Sequence, residues 1–308
     1  AQKAGVGAWL IVSNSAPNVT LNNITITGGI DPVSGGSTFV RISFNVTDAQ
    51  GVGDINASTA VVNFTLADIN GQWRSNISNQ GGEFGTCNNH TQTGKVIINC
   101  TVEMRYYDNA SANWFINVTV QDINGGVGRN NTIGFTYNTL AAFSLKARGV
   151  TEGSNINFTS LTLGEQNQEA KAPILLNNTG NDDFDQINIT GADLVSSATS
   201  DTILATAFAV NVTNSSITDP TAARGLALST APQVIPATNF MGGSGGTKPN
   251  ATLLHGYGIS GDAVPYNIVS SATSTKGNQT LIFWIDVPSG KAAAAYNNTW
   301  NITVVDID

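Results

Sequence analysis

Several Asn-x-Thr triplets in this chain place a large apolar residue between two polar ones: Asn23-Ile24-Thr25, Asn45-Val46-Thr47, Asn63-Phe64-Thr65, Asn117-Val118-Thr119, Asn188-Ile189-Thr190, Asn211-Val212-Thr213 and Asn301-Ile302-Thr303. In an extended strand, residues i and i+2 share one face and i+1 points to the other. Each triplet therefore turns Asn and Thr to water and its centre to a core. The chain satisfies this pattern as β-sheet, wet on one side and buried on the other.

The triplets belong to a larger excess. Twenty of the 36 Asn head an N-x-S/T triplet with x other than Pro, where a Ser and Thr content of about a fifth predicts about seven by chance. The positions are Asn18, Asn23, Asn45, Asn56, Asn63, Asn76, Asn89, Asn99, Asn109, Asn117, Asn130, Asn157, Asn177, Asn188, Asn211, Asn214, Asn250, Asn278, Asn297 and Asn301. We read them as acceptors for covalent N-glycans, which places the chain outside the cell. Only 11% of residues are charged, less than half of the roughly 25% usual in a soluble domain. Glycan would supply the hydration that charge normally supplies.

The same composition excludes several classes. Net charge is −8, and the 13 basic residues form no cluster, so a nucleic-acid partner, which needs grouped Lys and Arg, is not expected. No apolar run reaches the roughly 18 residues of a transmembrane helix. His90 and His255 have no acidic or nucleophilic partner at a recognisable spacing. Gly242–Lys248 lacks phosphate-loop spacing, and Pro249 stands where Ser or Thr is required. The expectation is a protein that is not an enzyme, with no catalytic residues. Acidic turns are the metal candidates: Asp48, Asp54, Asp68 and Asp122, with a further group at Asp182, Asp183 and Asp185. Calcium takes such oxygen ligands, and Asp48, Asp54 and Asp122 are the candidates carried forward; the competing role is capping of Asx turns, which needs no metal. No other cofactor is expected.

Alternating runs predict strands at Val19–Thr27, Thr38–Val46, Ala60–Leu66, Val96–Met104, Trp114–Val120 and Ile133–Tyr137, separated by Gly- and Asp-rich turns. A second series follows at Phe143–Ala147, Ile156–Leu163, Ala172–Leu176, Gln186–Ile189, Ile203–Val212, Gln279–Val287 and Thr299–Val305. The expected fold is all-β: two antiparallel immunoglobulin-like β-sandwich domains in tandem, 16–140 and 141–308, behind an N-terminal strand tail, 1–15. Cys100 is the centre of an Asn99-Cys100-Thr101 triplet and should face inward, across a hairpin from Cys87. A disulfide between them is expected; it suits an oxidising compartment, and closing so short a loop stabilises by roughly 3 kcal/mol.

The tail carries Val6-Gly7-Ala8-Trp9-Leu10-Ile11-Val12 and then a polar tether, Ser13–Pro17. Val6, Ala8, Leu10 and Val12 would share one strand face, Trp9 and Ile11 the other. Such a run invites edge pairing if left in water. It can be the first strand of its own domain, a donor strand that completes a neighbouring subunit, or the remnant of a pilin-type helix; the donor strand is the leading reading. Ala1 and Gln2 look like a mature end left by signal-peptide removal.

Longer motifs resemble known proteins. Leu176-Asn177-Asn178-Thr179-Gly180-Asn181, Ile187–Leu194, Phe283–Gly290 and Tyr296–Val304 resemble β-sandwich domains of secreted archaeal surface proteins, and Phe44–Asp48 and Val118–Gly126 resemble their sequon-rich immunoglobulin-like domains. The resemblance implies structural work at the cell surface. The expected function is a subunit of an extracellular archaeal filament, pilus- or thread-like, polymerising with copies of itself by donor-strand complementation. Alternatives are an S-layer lattice glycoprotein, or an adhesin whose exposed aromatics, Trp73, Tyr106 and Tyr107, stack on sugars at surface or cell–cell contacts.

Overall fold

The alternation of apolar and polar residues becomes alternation of burial in a computed structural model, which describes residues 13–23, 28–66, 73–77, 85–147, 155–182, 186–212, 226–234 and 278–305. All regular structure there is β, apart from short 3-10 turns at Val52–Asp54 and Ala205–Ala207. The chain divides into two compact units, and each is described by itself.

The first unit holds β1 (Asn18–Asn23), β2 (Ser37–Thr47), β3 (Ile55–Leu66), β4 (Trp73–Ser75), β5 (Cys87–Gln92), β6 (Lys95–Arg105), β7 (Ser111–Asp122) and β8 (Val127–Tyr137). They form two antiparallel four-stranded sheets, β1-β2-β6-β5 and β4-β3-β7-β8. Val40, Ile42, Phe44 and Val46 of β2 meet Val62, Phe64, Trp114 and Ile116 of the other sheet in one core. Phe135 anchors that core, edge-on to Phe64 at 4.9 Å and stacked on Trp114 at 6.0 Å; each such pair is worth about 0.5–1.5 kcal/mol beyond its buried area. The sheets meet along β1 and β8. The Asn130 amide donates to the Val19 carbonyl at 2.9 Å, and Gly128 leaves room for the Pro17 carbonyl, which an added Cβ would meet at 2.2 Å.

The second unit holds β9 (Phe143–Ala147), β10 (Gln168–Glu169), β11 (Ile174–Asn178), β12 (Gln186–Thr190), β13 (Leu194–Val195), β14 (Thr202–Ile203), β15 (Phe208–Val212), β16 (Leu226–Ala227), β17 (Gln233–Val234), β18 (Asn278–Ile285) and β19 (Asn301–Val305). One sheet runs β16-β15-β18-β11-β9 with β10 on β18, and a second runs β17-β12-β19. Their shared core includes Ile174, Leu176, Ile187, Ile189, Phe208, Leu281 and Phe283. Asp31–Ser37 and Arg105–Ala110 also belong to this unit, although they precede it in sequence. The Asn177–Asn181 motif explains part of that membership. The Asn181 amide donates to the carbonyls of Asp108 and Asn138, both at 3.0 Å, and its oxygen accepts from the Leu140 N–H at 2.6 Å. Gly180 is required there, because a Cβ would meet the Leu140 carbonyl oxygen at 1.9 Å.

Three expectations are corrected. Ile203–Val212 is not one strand: a 3-10 turn at Ala205–Ala207 separates β14 from β15, which lie in different sheets. Ile156–Leu163 is not a strand: Asn155–Thr159 alternate outward and inward, but their backbone joins no ladder, and Ser160 turns the chain with φ of 54°. Tyr106 and Tyr107 are not exposed; both are buried, edge-to-face at 5.0 Å. No helix among the described residues is long and apolar enough to cross a membrane.

Candidate functional site

Among the described residues, the core of the second unit opens into a cleft. Among the described strands, β9 ends one sheet and β19 ends the other, each paired on one side only, to β11 and β12 respectively. Between them lies a cleft of about 430 Å³. Its floor is fully buried: Ile174, Ile189, Phe208 and Phe283. Its walls combine half-buried apolar side chains, Leu145 of β9, Ile156 and Phe158 of the segment before β10, Tyr296, Trp300, and Ile302 of β19, with the polar Asn155, Asn157, Asn297, Asn298 and Thr299. Trp300 packs edge-on against Phe208 at 5.0 Å, while its indole N–H donates to the Ala192 carbonyl at 2.9 Å.

Asp201 organises the rim. It accepts from the Ala292 N–H at 3.0 Å, Lys291 Nζ at 3.1 Å, the Tyr296 hydroxyl at 3.2 Å and the Thr202 N–H at 2.8 Å. The Ala292 N–H, then Lys291, then the Thr202 N–H hold its carboxyl at about 2. Burial, and then the Asp201 charge, push the Tyr296 hydroxyl above its usual range. Sequence reasoning missed this cleft because it combines strand edges far apart in the chain; the one local signal is the density of aromatic residues in Tyr296–Trp300.

The expected polymerisation strand, Val6, Ala8, Trp9, Leu10, Ile11 and Val12, lies outside the described residues. The expected disulfide is present. Cys87 and Cys100 are direct cross-strand partners of β5 and β6 and are bonded, with Cys100 buried.

The sequon Asn residues keep the predicted face. Asn45, Asn63, Asn117 and Asn188 flank the buried Val46, Phe64, Val118 and Ile189 but are themselves half-buried, and Asn18, Asn89, Asn99, Asn157, Asn297 and Asn301 are exposed. Asn56, Asn109, Asn130 and Asn177 are half-buried. The side chains of Asn23, Asn211, Asn214, Asn250 and Asn278 lie outside the description. Asn76 departs from the pattern. It is 5% exposed, and its amide donates to the Ala60 carbonyl at 3.2 Å and to Cys87 Sγ at 3.0 Å, while its oxygen accepts from the Val62 N–H at 2.7 Å. Both amide hydrogens are engaged inside the fold, which leaves no room for a sugar.

The calcium candidates Asp48, Asp54 and Asp122 are brought together: each offers a carboxylate oxygen within 4.8 Å of the other two. Asp48 follows β2 and its Oδ1 accepts from the Gln50 N–H at 2.7 Å. Asp122 ends β7. Its Oδ1 accepts from the Asn124 and Gly126 N–H groups at 2.9 and 2.8 Å, and its Oδ2 from the Asn14 amide at 2.7 Å. Burial pushes Asp122 up, but the hydrogen bonds from Asn14, Gly126, Asn124 and Gly125 outweigh it and hold the carboxyl below its usual value. Asp54 moves the other way, raised first by burial and then by the charges of Asp122 and Asp48, against a hydrogen bond from Asn124.

No protein-family model matches this chain, and no curated protein matches it significantly.

Proposed function

We propose that the protein is a structural subunit of an extracellular filament, N-glycosylated and joined head to tail by strand donation. The observation that supports this reading is the cleft between β9 and β19, where half-buried apolar side chains stand beside two strands that end their sheets among the described residues. The occupant is residues 6–12 of a second copy. Val6, Ala8, Leu10 and Val12 supply one apolar face at the two-residue spacing a strand presents. Fully burying an aliphatic side chain is worth roughly 1.5–3 kcal/mol, and an edge strand supplies the backbone partners. The two sandwiches take the immunoglobulin-like form and carry sugar on their outer faces, at the exposed sequons.

Electron microscopy of the purified full chain tests this directly. The full chain gives fibres, and a chain lacking residues 1–13 gives folded monomers. A synthetic peptide of residues 1–15 binds those monomers and changes Trp300 fluorescence, whereas Leu145→Glu abolishes both binding and fibres. Normal fibres from the truncated chain would end the proposal.

A further inference from the structure

Three carboxylates that share one site need a reason to stay together. At neutral pH their mutual repulsion, in a partly desolvated pocket, opposes the fold. Asp54 makes the problem specific. It is 8% exposed; its Oδ1 accepts from the Asn124 amide at 2.9 Å, and its Oδ2, shielded from solvent, has no hydrogen-bond partner. A buried carboxylate oxygen without a donor is costly unless a cation or a proton compensates it.

We propose that Asp48, Asp54 and Asp122 bind one divalent cation of the calcium class. The donor set is all oxygen, as a hard cation requires, with no His or Cys in the cluster. Among hard cations, calcium accepts wider and less regular oxygen sets than octahedral magnesium. Calcium–oxygen distances of about 2.3–2.6 Å put ligands on opposite sides of the ion roughly 4.6–5.2 Å apart, whereas magnesium at about 2.0–2.1 Å would draw them within roughly 4.2 Å. The three oxygens here lie within 4.8 Å of one another, a separation that one calcium ion can span.

The site's position gives it a second consequence. Asp48 and Asp54 bracket the β2–β3 connection, Asp122 opens the β7–β8 turn, and Asn14 reaches Asp122 from the segment leading into β1. One ion therefore ties together two loops and the root of the N-terminal segment. Gly126 keeps that junction tight, since a Cβ there would meet Asp122 Oδ2 at 2.3 Å and Asn14 Nδ2 at 2.9 Å.

The test uses the full chain, stripped with a chelator and titrated with calcium chloride by calorimetry. The expected result is one equivalent bound and a melting temperature that climbs with the logarithm of free calcium. Magnesium chloride at the same concentration should give a much smaller rise. Asp54→Asn should bind calcium at least tenfold more weakly, yet melt no lower than the parent in chelator, because it removes a repelled charge. Amide exchange across residues 13–17 should slow on adding calcium to the parent and not to the variant. If the folded parent takes up no calcium, if Asp54→Asn binds as well as the parent, or if magnesium serves equally, the proposal is wrong. A variant that loses the same stability with and without calcium would also overturn it, by reducing Asp54 to a hydrogen-bond acceptor for Asn124.

Discussion

Asn76 heads a glycosylation triplet, yet its side chain acts as a piece of strand. The β3–β4 ladder ends at Asn63 and Ser75. One residue further on, the Asn76 N–H donates to the Val62 carbonyl at 3.1 Å, and its side-chain amide takes the next two groups of β3, the Val62 N–H and the Ala60 carbonyl. Asn76→Ala strands both. Val62 is fully buried and Ala60 nearly so, so water cannot replace the lost partners at once. Leaving a buried donor or acceptor unmade costs about 1–3 kcal/mol each, and some relaxation is to be expected, so the loss should be about 2–4 kcal/mol. Denaturant titration of the purified chain, followed by a probe in the first unit, measures it. Ser78→Ala is the control: it destroys the triplet but leaves Asn76 in place, and stability should not change. Peptide mass spectrometry should then find Asn76 bare and Asn99, on the exposed face of β6, occupied. A sugar on Asn76, or an Asn76→Ala variant within a few tenths of a kcal/mol of the parent, would refute the reasoning.

Other outcomes follow from the same geometry. Replacing Cys87 and Cys100 together by Ala should cost about 3 kcal/mol, from the short loop that the bond closes, and a reducing agent should reproduce that loss in the parent. Asp201, held at about 2 against an ordinary 3.8, contributes stability that is complete above the unfolded value and is lost as pH falls through the folded one. Acid unfolding of the second unit should therefore soften below about pH 4, a value set by the ordinary carboxylate range, and Asp201→Asn should be less stable at neutral pH but flatter in acid. Gly128→Ala forces the Pro17 carbonyl away from β8 and should raise protease sensitivity at residues 13–17.

The sequence carried the faces of strands more reliably than their neighbours. Side-chain alternation is local, so Val46, Phe64 and Val118 could be assigned to a core from their triplets alone. The same logic placed Cys100 inward and opposite Cys87. It failed at Ile156–Leu163, where inward Ile156 and Phe158 imitate a strand: the Asn157 carbonyl accepts from the Lys171 N–H at 2.8 Å, but no ladder forms; pairing is a tertiary fact. It failed at Tyr106 and Tyr107 for a similar reason, because their turn belongs with residues of the second unit, far along the chain. The acidic trio was legible only as three turns. Their convergence depends on β2, β3 and β7 ending at the same edge. The cleft combines β9 with β19, more than 150 residues apart, and no short window contains it.

One asymmetry among the sheet borders bears on how copies can meet. Asn18 lies on β1, Asn89 on β5, Asn130 on β8 and Asn301 on β19, so each of these outer ribbons carries a sequon. β9, Phe143–Ala147, has none, and neither have the sheet-end strands β4, β16 and β17. Carbohydrate at the sequon-bearing borders would act as bumpers, holding those surfaces apart. On the filament reading proposed above, contact between copies would then fall to the few borders left bare, β9 among them.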